Sequence, residues 1–301
     1  MNSKLKDLVE NNAEHLSKKK NVVGVAVGQK WSNGVNTGED AILVFVDKKE
    51  ASDKLSKKDR VESDVDGVRT DVVGKSGEFA AMANSRAIRP ITPGYSCGHL
   101  WITAGTIGGL FTDRDGDKVM LSNNHVLAAE NRGKRLDPRT GRGHIAIQPG
   151  RIDGGRILHK VGQLKRYVNL QRNGNLQDSA TALLRVGRYN PAIKDIGIPT
   201  GWNDSAGVGL KVQKSGRTTG LTTGKIIAIH ARFWIGFGSG NKHFKDQIVT
   251  TNMCAGGDSG SLLLDANKRI VALLFAGSDR FTLYNPIKYP RKFYGLKILA
   301  D

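Results

Sequence analysis

Apolar and polar residues follow one another in short stretches for most of this chain, and a long helical repeat is confined to the beginning. Over residues 3 to 18, Leu5, Leu8, Val9 and Leu16 fall near one face at helical spacing. Ser3 or Asn2 can cap that helix, and Lys18-Lys19-Lys20 closes it where cations suit the helix dipole. Residues 21–29 (NVVGVAVGQ) and 41–46 (AILVFV) then read as two strands with a Gly/Asn-containing turn between them. Residues 48–60 are charged and read as a helical or irregular connection, and 68–73 as a third strand. Together these predict a small α+β domain over residues 1–84. From Arg89 onward the pattern changes to short β segments broken by Gly, Asp and Asn, at 102–110, 118–122, 157–164, 179–186, 225–231, 247–251, 261–264 and 270–275. Many strands at that spacing predict a sandwich or a pair of barrels.

Composition agrees with a mainly β chain. The 37 glycines among 301 residues suit many tight turns, because glycine adopts positive φ at no steric cost. No run of 18 apolar residues occurs, so no membrane span is expected. The first twenty residues are polar and amphipathic rather than a secretory signal, so a cytoplasmic location is expected. Cys97 and Cys254 can form one bridge or stay reduced, and reduced thiols are the expected state. The net charge of +18 is unevenly placed: residues 1–84 carry 14 basic and 14 acidic side chains, so all of the excess lies beyond them. It is densest between Glu130 and Asn190, where Arg132, Lys134, Arg135, Arg139, Arg142, Arg151, Arg156 and Lys160 follow one another. Such a field attracts nucleic acid, anionic surfaces or acidic peptides, or serves solubility alone. Nucleic acid has no aromatic interleaving or motif to support it here.

Three segments carry candidate chemistry. Gly256-Gly257-Asp258-Ser259-Gly260-Ser261 precedes an apolar strand, Leu262-Leu263-Leu264. A nucleophilic serine needs a tight turn whose backbone N–H groups point at a developing oxyanion, and Gly257 and Gly260 permit one. The N–H groups of Gly257 and Ser259 would form that hole. The same peptide also reads as a plain turn between strands. Leu121-Ser122-Asn123-Asn124-His125 places a histidine after a strand, and Asn175-Leu176-Gln177-Asp178 places an aspartate at the mouth of another. Each alone also reads as structural. Their order, His then Asp then Ser, with separations of 53 and 81 residues, is that of a catalytic triad of one known type. The remaining histidines form no pair at metal-ligand spacing, and neither metal nor organic cofactor is expected.

These segments resemble those of trypsin-like, chymotrypsin-fold serine peptidases over about residues 89–301. The whole chain is similar to the plant Narrow Leaf type and its bacterial relatives, through NVVGVAVGQK, AILVFVDKK, TAGTIGGLFTDRDGDKVMLSNNHVLA, IQPGRIDGG, KSGRTTGLTTGKI, GGDSGSLLLD and ALLFAGS. One departure is Gly94-Tyr95-Ser96-Cys97. The resemblance implies two six-stranded β-barrels, over about 85–195 and 205–301, behind the N-terminal domain. It implies His125 as general base, Asp178 as its orienting partner and Ser259 as nucleophile of an endopeptidase acting on proteins or peptides. It further implies Met253, six residues before the nucleophile, as the floor of the P1 pocket, with Ala276 and Gly277 on its wall. An apolar floor predicts an apolar P1 side chain. Asp258 is, in many such enzymes, the partner of a new N-terminus; the 85–93 linker is the one candidate for such cleavage, and intrinsic activity is the other reading. The N-terminal domain is a candidate for homo-oligomer contacts. The alternative to an enzyme is a basic module of the same fold that docks nucleic acid or an acidic partner with little turnover.

Overall fold

The computed structural model describes residues 3–32, 35–46, 49–74, 84–137 and 139–299. The chain divides into two compact units, Met1–Ala81 and Met82–Asp301. In the first, the amphipathic segment forms α1 (Ser3–Ser17), followed by β1 (Val22–Ser32) and β2 (Val35–Val46), an antiparallel pair longer than the apolar runs alone mark out. The charged connection holds two single 3-10 turns, Ser52–Lys54 and Lys57–Asp59. It leads into the short β3 (Asp64–Val65) and β4 (Val68–Val73). β4 lies parallel to β2, which requires such a crossover. Leu16 of α1 is fully buried with Ile42 and Val44 of β2, so helix and sheet share one small core.

The second unit begins with β5 (Ser96–His99), β6 (Gly105–Thr106), β7 (Gly109–Thr112) and β8 (Lys118–Ser122). A four-residue helix, α2 (Asn124–Leu127), β9 (Ile145–Ile147), β10 (Lys160–Tyr167) and β11 (Ala180–Leu184) follow. The stretch 105–112 pairs with β5 at its start and with β8 at its end. The sheet through β8, β11, β10, β9 and β5 therefore curls back on itself as a barrel. Its interior is filled by Ile91, Cys97, Ile107, Met120, Val126, Val161 and Ala182.

After β12 (Gly201–Trp202) come β13 (Lys211–Gly216), β14 (Gly220–Phe237), β15 (Gly240–Thr251), β16 (Leu262–Asp265), β17 (Arg269–Gly277) and β18 (Phe281–Pro286). The pairing of β17 with β18 closes β17, β16, β13, β14, β15 and β18 into a six-stranded ring. α3 (Lys288–Tyr294) and β19 (Lys297–Ile298) return the chain to β7. Phe111 and Leu121 of the first barrel bury against Leu262, Leu264 and Leu273 of the second, with Tyr294 of α3 beside them. This shared apolar seam fixes the two barrels and the loops that meet at its edge. Cys97 and Cys254 are both free thiols, and burial pushes the Cys97 thiol up to about 12. Among the described residues no helix is long and apolar enough to cross a membrane.

Candidate active site

The register between β8 and β11 pairs Ser122 with Ala180. Asp178, two residues before Ala180, and His125, three residues after Ser122, are thus delivered to the same end of the first barrel. α2 turns the His125 imidazole back onto Asp178: Nδ1 lies 2.5 Å from one carboxylate oxygen, and the His125 N–H donates to the other at 3.2 Å. Asp178 has no exposed surface, while His125 keeps 23% of its side chain open. Asn123 donates to the Asp178 carbonyl at 2.7 Å, and the Asp178 N–H donates to Asn285 of β18 at 2.9 Å. Since the carboxylate accepts at Nδ1, the Nδ1–H tautomer is held and Nε2 is left as an acceptor. Burial alone would lower the imidazole, but the charge and hydrogen bond of Asp178, helped by Glu130, raise it above its ordinary value.

Ser259 stands on the turn between β15 and β16. Gly257 and Gly260 both have left-handed backbone, with φ of +100° and +97°. A Cβ on Gly260 would lie 2.2 Å from Ser122 Oγ and 2.4 Å from the Thr106 carbonyl, so only glycine lets the two barrels approach here. Thr106 ties them, its N–H donating to the Ser259 carbonyl at 2.8 Å and its hydroxyl to the Gly257 carbonyl at 2.9 Å. The N–H groups of Asp258, Gly260 and Ser261 donate to Ala255, Leu274 and Asp258 carbonyls. Those of Gly257 and Ser259 find no acceptor among the described residues. Two free donors flanking a serine are the arrangement that an oxyanion requires. Likewise, the Ser259 hydroxyl has no hydrogen-bond partner among the described residues, His125 included. Such contacts are often long before substrate binds.

Beneath the turn lies a group that the sequence reading missed. The Asp258 carboxylate is fully buried against the fully buried Lys214 ammonium at 3.3 Å. It also accepts from the N–H groups of Thr218 (2.8 Å), Thr219 (3.2 Å) and Ala255 (3.0 Å), and from the Thr219 hydroxyl (2.6 Å). Burial holds the Lys214 amine below its ordinary value against the pull of Asp258. Asp258 thus has a side-chain cation from its own barrel, where an N-terminal ammonium was one expectation. Its lysine lies in the segment KSGRTTG, where nothing local marks the pairing. Nearby, Arg217 clasps Asp153 with two bonds of 2.7 and 2.6 Å and donates to Thr218 Oγ1 at 3.0 Å. A Cβ on Gly257 would meet the same guanidinium at 2.6 Å.

Two cavities open beside these groups. One of about 480 Å³ is lined by Ser259, Asn252, Cys254, Ala276, Gly277 and Asp279, among others. The other, of about 600 Å³, lies on the His125 side and is walled by Glu130, Phe237 and Phe275. Ala276 and Gly277 line the cavity that Ser259 also lines. Met253 does not. It is buried with Val212, Ile226 and Tyr284 in the core of the second barrel, and its neighbour Cys254 lines the cavity instead. Both residues lie in the turn that follows β15, whose path buries Met253 while Asn252 and Cys254 on either side of it line the cavity. A Cβ on Gly277 would lie only 2.3 Å from Cys254 Sγ, so the thiol presses against that wall.

Among the described residues, the one group of carboxylates close enough to share a metal ion is Asp113, Asp115 and Asp117. Its centre is taken by the Lys165 ammonium, at 2.5, 2.9 and 2.7 Å from the three.

No family model matches the chain. Over 121 residues it is 35% identical to streptogrisin-A of Streptomyces griseus, a stretch that takes in 38% of either protein, so the match spans well under half of that relative's length. Among solved structures, it is similar to a glutamic acid specific serine protease (17% identity, TM-score 0.52, 69% of this chain and 100% of that one). Thermobifida fusca protease A gives 18% identity and a TM-score of 0.52, over 70% of this chain and 99% of that one. Cellulomonas bogoriensis chymotrypsin gives 19% and 0.51, over 70% and 99%. What is common to them is architecture: the chain is mainly β and carries the double β-barrel fold of the chymotrypsin-like serine proteases.

Proposed function

We propose that this chain is a serine endopeptidase of the Narrow Leaf type, with Ser259 as nucleophile, His125 as general base and Asp178 as the residue that orients the imidazole. The observation that carries the reading is the pairing of a buried, hydrogen-bonded His125–Asp178 couple with a serine whose flanking N–H groups, Gly257 and Ser259, have no acceptor of their own. In this reading His125 Nε2 takes the hydroxyl proton as Ser259 Oγ attacks a peptide carbonyl, and the two N–H groups receive the oxyanion. The imidazolium, stabilised by Asp178, then protonates the leaving amine. Water repeats the sequence on the acyl-enzyme and regenerates the serine. The chemistry calls for no metal or organic cofactor. The cavity beside Ser259 takes an apolar P1 side chain in this reading; Cys254 against Gly277 limits its size, and Asn252 and Asp279 are among the polar groups of the same lining. The basic excess of residues 85–301 steers acidic flanking sequences toward the site, an effect that fades as salt is added. Hydrolysis of matched peptides by the wild type, and its fall to background in Ser259→Ala and His125→Ala at unchanged melting temperature, tests the reading. Salt-sensitive binding of acidic peptides without hydrolysis would favour the docking module instead.

A further inference from the structure

The segment that leaves α2 is strained. Ala129, Glu130 and Asn131 have φ of 48°, 56° and 72°, three successive non-glycine residues in the left-handed region. Each such residue costs about 1 kcal/mol or more, so its surroundings must over-determine it. On one side they do. Asn131 donates its N–H to Asn124 Oδ1 at 3.0 Å and its side-chain amide to the Leu170 carbonyl at 2.9 Å. It accepts at Oδ1 from Asn124 Nδ2 at 2.7 Å and from the Leu170 N–H at 2.9 Å. With Asn131 so anchored, the Glu130 side chain is aimed away from the first barrel and onto the second. One carboxylate oxygen accepts the Gly238 N–H at 3.1 Å and the other the Ser239 N–H at 2.8 Å. Gly238 and Ser239 are the two residues between β14 and β15, the tip of the longest hairpin in the molecule. Two successive N–H groups form a natural anion cradle, and the chain fills it with its own carboxylate.

That hairpin forms much of the wall of the cavity beside His125. Phe233, Trp234, Ile235 and Phe237 line it together with His125 and Glu130. The Phe237 ring centre lies 5.9 Å from that of His125, and Phe237 pairs with Gly240 in the last rung before the tip. The two cavities share Ala276, Gly277 and Ser278 at the end of β17. Successive side chains of an extended peptide point to opposite sides. A peptide lying along that strand end with one side chain beside Ser259 turns the next toward the hairpin.

We propose that Glu130 is a positioning residue: by latching the tip of the β14–β15 hairpin to the segment that carries His125, it sets the apolar cavity beside the imidazole and selects peptides with an apolar side chain adjacent to P1. The proposal rests on the peptidase reading above. Its test compares wild type with Glu130→Gln and Glu130→Ala on two substrates, a single-residue ester and a peptide bearing leucine next to P1. The ratio of peptide to ester kcat/KM is expected to fall about tenfold, through KM, for loss of hydrogen bonds to a charged group. Hydrogen exchange at the segment spanning Gly238 and Ser239 is expected to quicken. Removing the negative charge near His125 is expected to move the acid limb of kcat/KM to lower pH. An equal loss on both substrates with an unmoved acid limb would mean a structural role and overturn the proposal, as would unchanged exchange at the tip. Fluorophosphonate labelling of the same samples separates the two failures. Wild type that does not label ends the peptidase reading and the selectivity with it, while exchange still decides the latch.

Discussion

Asp178 and Asp258 are both carboxylates without exposed surface, one on each barrel, and each faces a nitrogen cation or potential cation. Their surroundings differ in one respect. The partner of Asp178, His125, is open on one side and titrates within reach of solvent, whereas Lys214 is sealed with Asp258 among Thr219, Gly220 and the backbone. An ion pair with one open end can exchange a proton in each cycle. A closed one holds a shape. In the proposed mechanism the first barrel brings the groups that change state, and the second a turn whose donors stay fixed, each built around a buried carboxylate.

The largest effect expected from breaking the open pair is on rate. Asp178→Asn should lower kcat by about 10⁴-fold, because the amide no longer selects the Nδ1–H tautomer, while denaturant unfolding changes little. Breaking the closed pair should do the reverse in emphasis. Lys214→Met leaves the buried Asp258 carboxylate without its cation, and should cost about 3–5 kcal/mol of stability. The double variant Lys214→Met/Asp258→Asn removes the buried charge and should recover part of that loss. Equal stability costs for Asp178→Asn and Lys214→Met would erase the distinction.

A smaller effect sharpens the comparison with a third carboxylate. Asp246, partly open, meets Lys288 at 3.0 Å and also His230 and Tyr289. Burial would raise its carboxyl, but the bonds from Tyr289, Lys288 and His230 lower it to about 2. A depressed folded-state value means stabilisation present above the ordinary carboxyl range and lost as pH falls through about 2. Asp246→Asn should therefore cost about 1–2 kcal/mol at neutral pH, reduced by solvent screening, and the difference should shrink between pH 4 and pH 2. Urea melts of both proteins across that range measure it.

How much of this was legible in the sequence depended on distance along the chain. The turn at Ser259 and the segments of His125 and Asp178 carry their signals within a few residues, and β4 spans the segment read as a strand at 68–73. The strand read at 157–164 starts later, at Lys160, because Ile157 and Leu158 are apolar residues on an exposed turn rather than a buried strand. Features that join remote residues left no local mark. Lys214 pairs across 44 positions, Glu130 across 108 and 109, and the 220–251 hairpin reads as broken alternation because bulges interrupt its register. Met253 shows the opposite hazard, a position counted along the chain where the path of the turn after β15 decides which side chains face the core.

The central claim is that His125 and Asp178 on one barrel activate Ser259 on the other. Mass spectrometry after brief exposure to a fluorophosphonate, at neutral pH, tests it most directly. The account predicts one adduct per chain, mapped to Ser259, absent in Ser259→Ala and formed orders of magnitude more slowly in His125→Ala and Asp178→Asn. Labelling at another residue, or labelling of Ser259 at the same rate in all three backgrounds that retain it, would contradict it.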